Sequence, residues 1–209
     1  MPCAGTSVSA RSHSTSLTRV SETLTRRDEL LRVAADLFAH RGFHGVSVND
    51  IGRAAGVSGP AIYRHFASKD AMLAEMLIAI SEELLRVGRE RAGAADRPAE
   101  AVRALVAWHA DFALRERALI VVQDRDWSSL PDEAREQVRV LQREYVDLLV
   151  AAQRGVHPEL DRKTALARAH AVFNLLNSTP RSSYLPTEQM RAELEGMALR
   201  ALDVSDRPD

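Results

Sequence analysis

The chain is 209 residues long, with 45% hydrophobic and 27% charged side chains, which suits one large or two small domains and excludes wholesale disorder and fibrous repeats. Its longest apolar candidate for a span, Ala71 to Ile80, is interrupted by Glu75 and is shorter than the roughly 18–20 residues a bilayer crossing needs; the lone Cys3 and the lack of an apolar signal core make a reducing cytoplasm the expected location. A formal net charge of −1 speaks, on its face, against a nucleic-acid partner.

Residues 1–24 are expected to form a disordered tail, since eleven of the first 25 residues are Ser or Thr and the apolar ones have no period; Arg11 and Arg19 could brush a polyanion there. Order is expected from Thr25, an N-cap with Asp28 in the first turn. Leu30, Leu31, Ala34, Ala35, Leu37 and Phe38 then recur at helical spacing, and Gly42 suits a left-handed stop. Ser47, with Asp50 three residues on, caps a second, short helix carrying Val48, Ile51, Ala54 and Ala55 on its apolar side, and Gly56 ends it. Ser58 caps a third, Gly59 to about Phe66, with Pro60 in the first turn, where a missing N–H costs no helical bond. Two short helices around a turn at Gly56 and Val57 have the spacing of a helix-turn-helix.

Ser68 caps a longer fourth helix running to about Glu90. Five more helices follow: Pro98 to about Arg115, Glu116 to Asp126, Pro131 to Gly155, Asp161 to Asn177 and Thr187 to Leu202. They are separated by Gly93–Pro98, Gly155–Pro158 and Thr179–Pro186. No strand pattern competes, so the expected class is all-α with about nine helices: a head over residues 25–70 and a helical body over 71–209.

The segment Val46 to Met72 resembles the DNA-binding helices of the TetR family of bacterial transcriptional regulators. The matching positions are Ser47, Asp50-Ile51, Ala55-Gly56-Val57, Tyr63, His65-Phe66 and Ser68-Lys69, preceded by Ala34-Ala35, Leu37-Phe38 and Gly42-Phe43. The close likeness runs from about Arg26 to Leu77; the remainder is similar only in length and helical character. The resemblance implies sequence-specific DNA binding, with a C-terminal ligand-binding and dimerisation domain. Ser47, Tyr63, His65 and Lys69 are its implied phosphate contacts, with Ser58 and Arg64 as further polar candidates.

The residues support this reading in their own right. Gly59, Pro60 and Ala61 give the recognition helix a small leading end that can approach base edges, and Pro60 and Ala61 can meet thymine methyls. The Asn49 amide suits adenine. Blander readings exist beside these: Tyr63 could be core, and Ser47 and Ser58 are caps with or without DNA. His40 and His44 are split by Gly42, so they make no metal pair. Residues 1–70 hold nine Lys or Arg against six Asp or Glu and the remainder 19 against 23, so the near-neutral total averages a basic head and an acidic body.

By resemblance the last two helices pair with a second copy across a two-fold axis, giving a homodimer on a palindromic operator. Ala165, Ala169, Val172 and Leu176, with Met190, Leu194, Met197 and Leu202, could supply that face, or could be core within one chain. Trp108, His109, Phe112, Trp127, Tyr145, Leu149, Phe173 and Asn177 are the candidate effector-binding residues. The stretches Gln123–Leu149 and Phe173–Pro180 look similar to actinobacterial members associated with fatty-acid or acyl-CoA metabolism, which implies a small apolar effector, a fatty acid or acyl-CoA, with arginines meeting phosphates at the pocket mouth. The expected function is therefore a ligand-released repressor. The alternative is a DNA-binding regulator governed by a protein partner without a small-molecule effector. No cofactor or metal is expected, and no phosphate-binding Gly-rich loop, Glu-x-x-His pair or G-x-S-x-G elbow suggests an enzyme.

Overall fold

The computed structural model describes residues 25–204; the expected disordered tail, with Cys3, Arg11 and Arg19, lies outside the described residues. Helix α1 (Arg26–Arg41) opens in a capping box: the Thr25 hydroxyl accepts the Asp28 N–H, and the Asp28 carboxylate accepts the Thr25 N–H at 3.0 Å. Those bonds hold the Asp28 carboxyl below the usual carboxylate range. Gly42 ends the helix at a positive φ of 81°, but with an extended ψ of 151° rather than the left-handed helical value expected.

Helix α2 (Val48–Ala54) repeats the box with Ser47 and Asp50, and Gly56 turns the chain at φ +68°. Helix α3 (Gly59–Ile62) is shorter than its expected run to Phe66, although the His65 and Phe66 N–H groups still bond to the Ile62 carbonyl. Ser58 precedes it without a side-chain cap bond. Pro60 has no N–H to offer, and the Ala61 N–H is taken by the carbonyl of Ser58 at 2.9 Å. Helix α4 (Lys69–Gly93) is capped by Ser68, whose hydroxyl accepts the Ala71 N–H at 3.0 Å.

The body continues through α5 (Pro98–Arg115), α6 (Arg117–Asp126), a 3-10 turn at Trp127–Ser129, α7 (Asp132–Val156), α8 (Arg162–Leu176), α9 (Thr179–Ser182) and α10 (Thr187–Ala201). The described residues thus hold ten α-helices and no strand: all-α as expected, with one more helix than the nine read from sequence. The extra one, α9, lies in a Pro-containing stretch that reads as a loop. It is pinned from afar by the Thr179 hydroxyl, which donates to the Ala113 carbonyl at 2.5 Å.

Two apolar cores form. In the first, Leu30, Phe38, Ile51, Ile62 and Phe66 of the head close on Met72, Leu73 and Leu77 of α4, and also on Val122 of α6 and Val138 of α7. The second joins Leu85 of α4 to Val102, Leu105, Leu149, Leu176 and Leu194. The head–body boundary drawn at residue 70 falls in the first turn of α4, and the head core runs across it. Of the two stripes considered for dimerisation, Ala165, Ala169, Val172 and Leu176 are buried within the chain, as are Met190, Leu194 and Leu202; Met197 alone faces outward. They fill the intrachain core because α8 and α10 turn their apolar faces onto α5 and onto each other.

Candidate functional site

The helix-turn-helix is held at backbone contact. A Cβ placed on Gly52 would lie 2.8 Å from the Val57 carbonyl oxygen and 3.2 Å from the Gly59 nitrogen, so α2 rests directly on the turn that leads into α3. A Cβ on Gly59 would sit 2.0 Å from Oδ1 of Asn49, which places the Asn49 amide against the start of α3. Ser47, Asn49, Ser58, Pro60, Tyr63 and Arg64 are exposed on this surface, and Gly59, Ala61, His65 and Lys69 are half-buried. Tyr63 is 57% exposed, so it is not a core residue; Ile62 and Phe66 fill the core beside it.

Cations from distant elements brace the head by donating to carbonyls at helix ends and in the following loop, where intrahelical partners run out. Arg26 donates to the Ala55 carbonyl at 2.7 Å, and Arg27 donates to the His65 carbonyl while pairing with Glu75 of α4. The Lys69 ammonium donates to the Phe43 and Val46 carbonyls at 2.7 and 2.8 Å and sits 4.2 Å from the Phe43 ring centroid. Arg125 of α6 donates to the Phe38 and Ala39 carbonyls at the end of α1. Arg64 is different: it is exposed and has no ion-pair partner among the described residues, so its charge remains available.

In the body, a cavity of about 570 Å³ opens between α4, α5, α6, α7 and α8. Its floor is polar and buried: His109 Nε2 lies 3.0 Å from Asn177 Oδ1, and Nδ1 lies 3.3 Å from the Tyr145 hydroxyl. An amide oxygen only accepts, so the imidazole carries its proton on Nε2 and accepts from Tyr145 at Nδ1. Burial pushes the His109 imidazole down to about 4, which leaves it neutral at ordinary pH, and pushes the Tyr145 phenol up. The floor rings interlock, with Phe173 4.5 Å from His109 and 5.2 Å from Tyr145 between centroids. Gly88 of α4 gives Tyr145 its seat, since a Cβ there would fall 2.7 Å from the Tyr145 ring.

The walls are apolar, built by Ile80, Leu84, Phe112, Ile120 and Val146, and the outer lining carries Arg139, Arg143, Arg162 and His170 with Asp124 and Asp147. Arg162 pairs with Asp147 at 2.6 Å, whereas Arg143 is exposed and has no ion-pair partner among the described residues. Five of the eight effector-binding candidates line this space: His109, Phe112, Tyr145, Phe173 and Asn177. The other three lie elsewhere. Trp108 faces α4, donating its indole N–H to the Leu84 carbonyl at 3.2 Å; Trp127 packs against the head core; Leu149 is fully buried in the body core. Sequence reasoning missed Gly88, the individual mouth arginines and the α6 residues Gln123 and Asp124. Only Gly88, a glycine inside a helical pattern, carried a local signal.

Comparison with known proteins completes the description. A family model described as bacterial regulatory proteins, tetR family, matches residues 30–76, which are the head and the first turns of α4. A second, described as tetracyclin repressor-like, C-terminal domain, matches residues 95–181, taking in four of the five helices around the cavity. The chain belongs to the TetR family. Among its TetR-family relatives, the HTH-type transcriptional repressor KstR2 of Rhodococcus jostii (strain RHA1) is 45% identical over 65 residues, which are 31% of this chain and 32% of the relative. KstR2 of Mycobacterium tuberculosis (strain CDC 1551 / Oshkosh) is 31% identical over 111 residues, 53% of this chain and 56% of the relative. The chain therefore aligns with between a third and just over half of these curated relatives. A solved TetR-family transcriptional regulator from Bordetella parapertussis 12822 superposes with a TM-score of 0.76 at 25% identity, covering 85% of this chain and 94% of that one.

As in the chain's own geometry, the two matched regions meet at α4 and α6. On α6, Leu119, Ile120, Gln123 and Asp124 line the cavity, while Val122 enters the head core and Arg125 holds the end of α1. Among the described residues no group of His, Cys, Asp and Glu could hold a metal ion, and no helix is long and apolar enough to cross a membrane.

Proposed function

We propose that the protein is a cytoplasmic, homodimeric, sequence-specific repressor that binds a palindromic operator and is released by an apolar effector, a fatty acid or an acyl-CoA. The observation that carries this reading is the position of α6, with one face in the cavity and the other on α1 of the head. A ligand can shift DNA affinity only through its differential affinity for two arrangements of the protein, and α6 is where a filled cavity would move the head. An open cavity in the body, in place of a filled core, favours this over control by a protein partner.

On DNA, Asn49 would read adenine, and Pro60 and Ala61 would meet thymine methyls as Gly59 admits the backbone. Ser47, Ser58, Tyr63, Arg64, His65 and Lys69 would contact phosphates. The Ser58 hydroxyl makes no cap bond, which suits it to that task. Two heads about 34–36 Å apart would match successive major grooves. The exposed Ala167, Ala171 and Met197 of α8 and α10 are the faces left for a second copy.

Selection from a random duplex library, followed by fluorescence anisotropy with a panel of acyl-CoAs, tests the reading. Recovery of an inverted repeat whose binding is weakened by at least one acyl-CoA is the expected result. Sequence-independent retention of duplexes would overturn the repressor, and unchanged affinity across the panel would overturn the acyl-CoA effector.

A further inference from the structure

Helix α8 lines the cavity along its whole length, contributing Arg162, Leu166, His170, Phe173 and Asn177, the last at its C-cap. Fifteen residues at 1.5 Å each separate the first from the last, so the lining runs about 22 Å along the helix axis. Its two ends differ in kind. The Arg162 end, joined by Arg139 and Arg143 of α7, is cationic and open, whereas the Asn177 end is closed, aromatic and uncharged.

The hydrogen-bond inventory of the closed end is incomplete in a defined way. His109 spends both nitrogens on Asn177 and Tyr145, and Tyr145 spends its proton on His109. What remains is the amide NH₂ of Asn177, which donates, and the oxygen of Tyr145, which accepts. A carbonyl oxygen can take the first, and a hydroxyl can take both. A carboxylate would face the Tyr145 lone pairs in a buried site that holds no cation, so it is disfavoured there.

We propose that the cavity selects an elongated ligand carrying an uncharged oxygen, a carbonyl or a hydroxyl, at its inner end and an anionic group at its outer end, with Asn177 and Tyr145 binding the first and Arg139, Arg143 and Arg162 the second. This rests on reading the cavity as the effector site, and it adds that a plain alkyl chain is not the preferred occupant. Fatty carboxylates and CoA thioesters share the outer chemistry, and the test separates them.

Isothermal titration calorimetry on the full-length protein, without DNA, would compare dodecanoate, ω-hydroxydodecanoate and dodecanedioate, and the three corresponding CoA thioesters. In at least one of the two series the ω-hydroxy compound should bind on the order of tenfold tighter than the alkyl one, as expected for two added hydrogen bonds, and the inner carboxylate weaker than either. That series identifies the outer anion. Tyr145→Phe and Asn177→Ala should each lose about threefold of the preference, with alkyl binding little changed, and the double variant should bring it to parity. Thermal melting confirms that each variant is folded, and Tyr145→Phe keeps the ring that packs on Gly88. Equal binding of alkyl and hydroxyl ligands, or a preference that survives the double variant, overturns the proposal while leaving the DNA-selection result standing. Absence of binding by every probe overturns it together with the fatty-acyl effector.

Discussion

Substituting Gly52 by Ala puts one methyl group where α2 meets the turn. The added carbon would lie 2.8 Å from the Val57 carbonyl oxygen, 3.2 Å from the Gly59 nitrogen and 3.3 Å from the Ser58 carbonyl carbon. All three are backbone atoms, so no side chain can swing aside and α3 itself must move. Helix propensity favours Ala over Gly by about 1 kcal/mol. Overpacking of this kind costs about 1–3 kcal/mol, and the 2.8 Å bond from the Val57 N–H to the Gly52 carbonyl is loosened at a cost of about 1 kcal/mol. The net loss is about 1–3 kcal/mol, a fall in Tm of several degrees for a chain of this size. DNA affinity should fall further than stability implies, at least about tenfold, because displacing α3 moves Pro60, Tyr63 and Arg64 together. Gly56→Ala is the control: its φ of +68° costs about 1–2 kcal/mol, but nothing lies within 4 Å of the new carbon, so α3 stays in place. Differential scanning fluorimetry and anisotropy on a selected duplex read both quantities. A Gly52→Ala protein that melts and binds like the wild type would refute the close-contact account of the turn.

Arg64→Ala should weaken DNA binding and make the plot of log affinity against log salt shallower by about 1 per head, whereas an unchanged slope would remove Arg64 from the phosphate contacts. His109 gives a pH signature. Its folded pKa lies near 4, below the ordinary 6.5, so the unfolded chain takes up the proton first and stability is lost as pH falls through that window. Between pH 7 and 5 the loss is about 2 kcal/mol. Glu116 and Glu195, raised by burial, act in the opposite sense just above 4.5, but they do so in the variant too. Urea unfolding should therefore show His109→Gln losing less stability than wild type over that range, and parallel curves would refute the buried neutral imidazole. Arg125→Lys, which cannot fork across the Phe38 and Ala39 carbonyls, should speed amide exchange several-fold over residues 38–45 and leave α10 unaffected. Uniform exchange across both regions would count against a local clamp.

What could be read from sequence was what is local. Thr25 with Asp28 and Ser47 with Asp50 form their capping boxes because each depends on three residues of spacing and nothing else. Ser58 failed as a side-chain cap for an equally local reason, the missing N–H of Pro60. Periodicity revealed the apolar faces of α8 and α10 but not what covers them, since burial against one's own chain and against a partner leave the same pattern. In the site, His109 and Phe112 were legible as neighbours on one helix face, while Trp108, one residue earlier, is turned about 100° away toward α4. Trp127 drew attention by size, yet its place was decided by the break after α6, which directs it to the head core. The arginines of the cavity mouth stood out from no others in an Arg-rich chain; only the meeting of α7 and α8 distinguishes them.

Because α4 supplies buried side chains to both cores, the head is not a detachable reading unit. A fragment ending at residue 70 would expose the sites that Met72, Leu73 and Leu77 fill, and one extended to the end of α4 would still lack Val122 and Val138. A chimaera that grafts this head onto another sensor must therefore carry α4 and match the faces of α6 and α7 as well. The same continuity limits how the chain can diverge: a new effector specificity can arise freely at the far end of α8, but changes along α6 are constrained by the fit of the head.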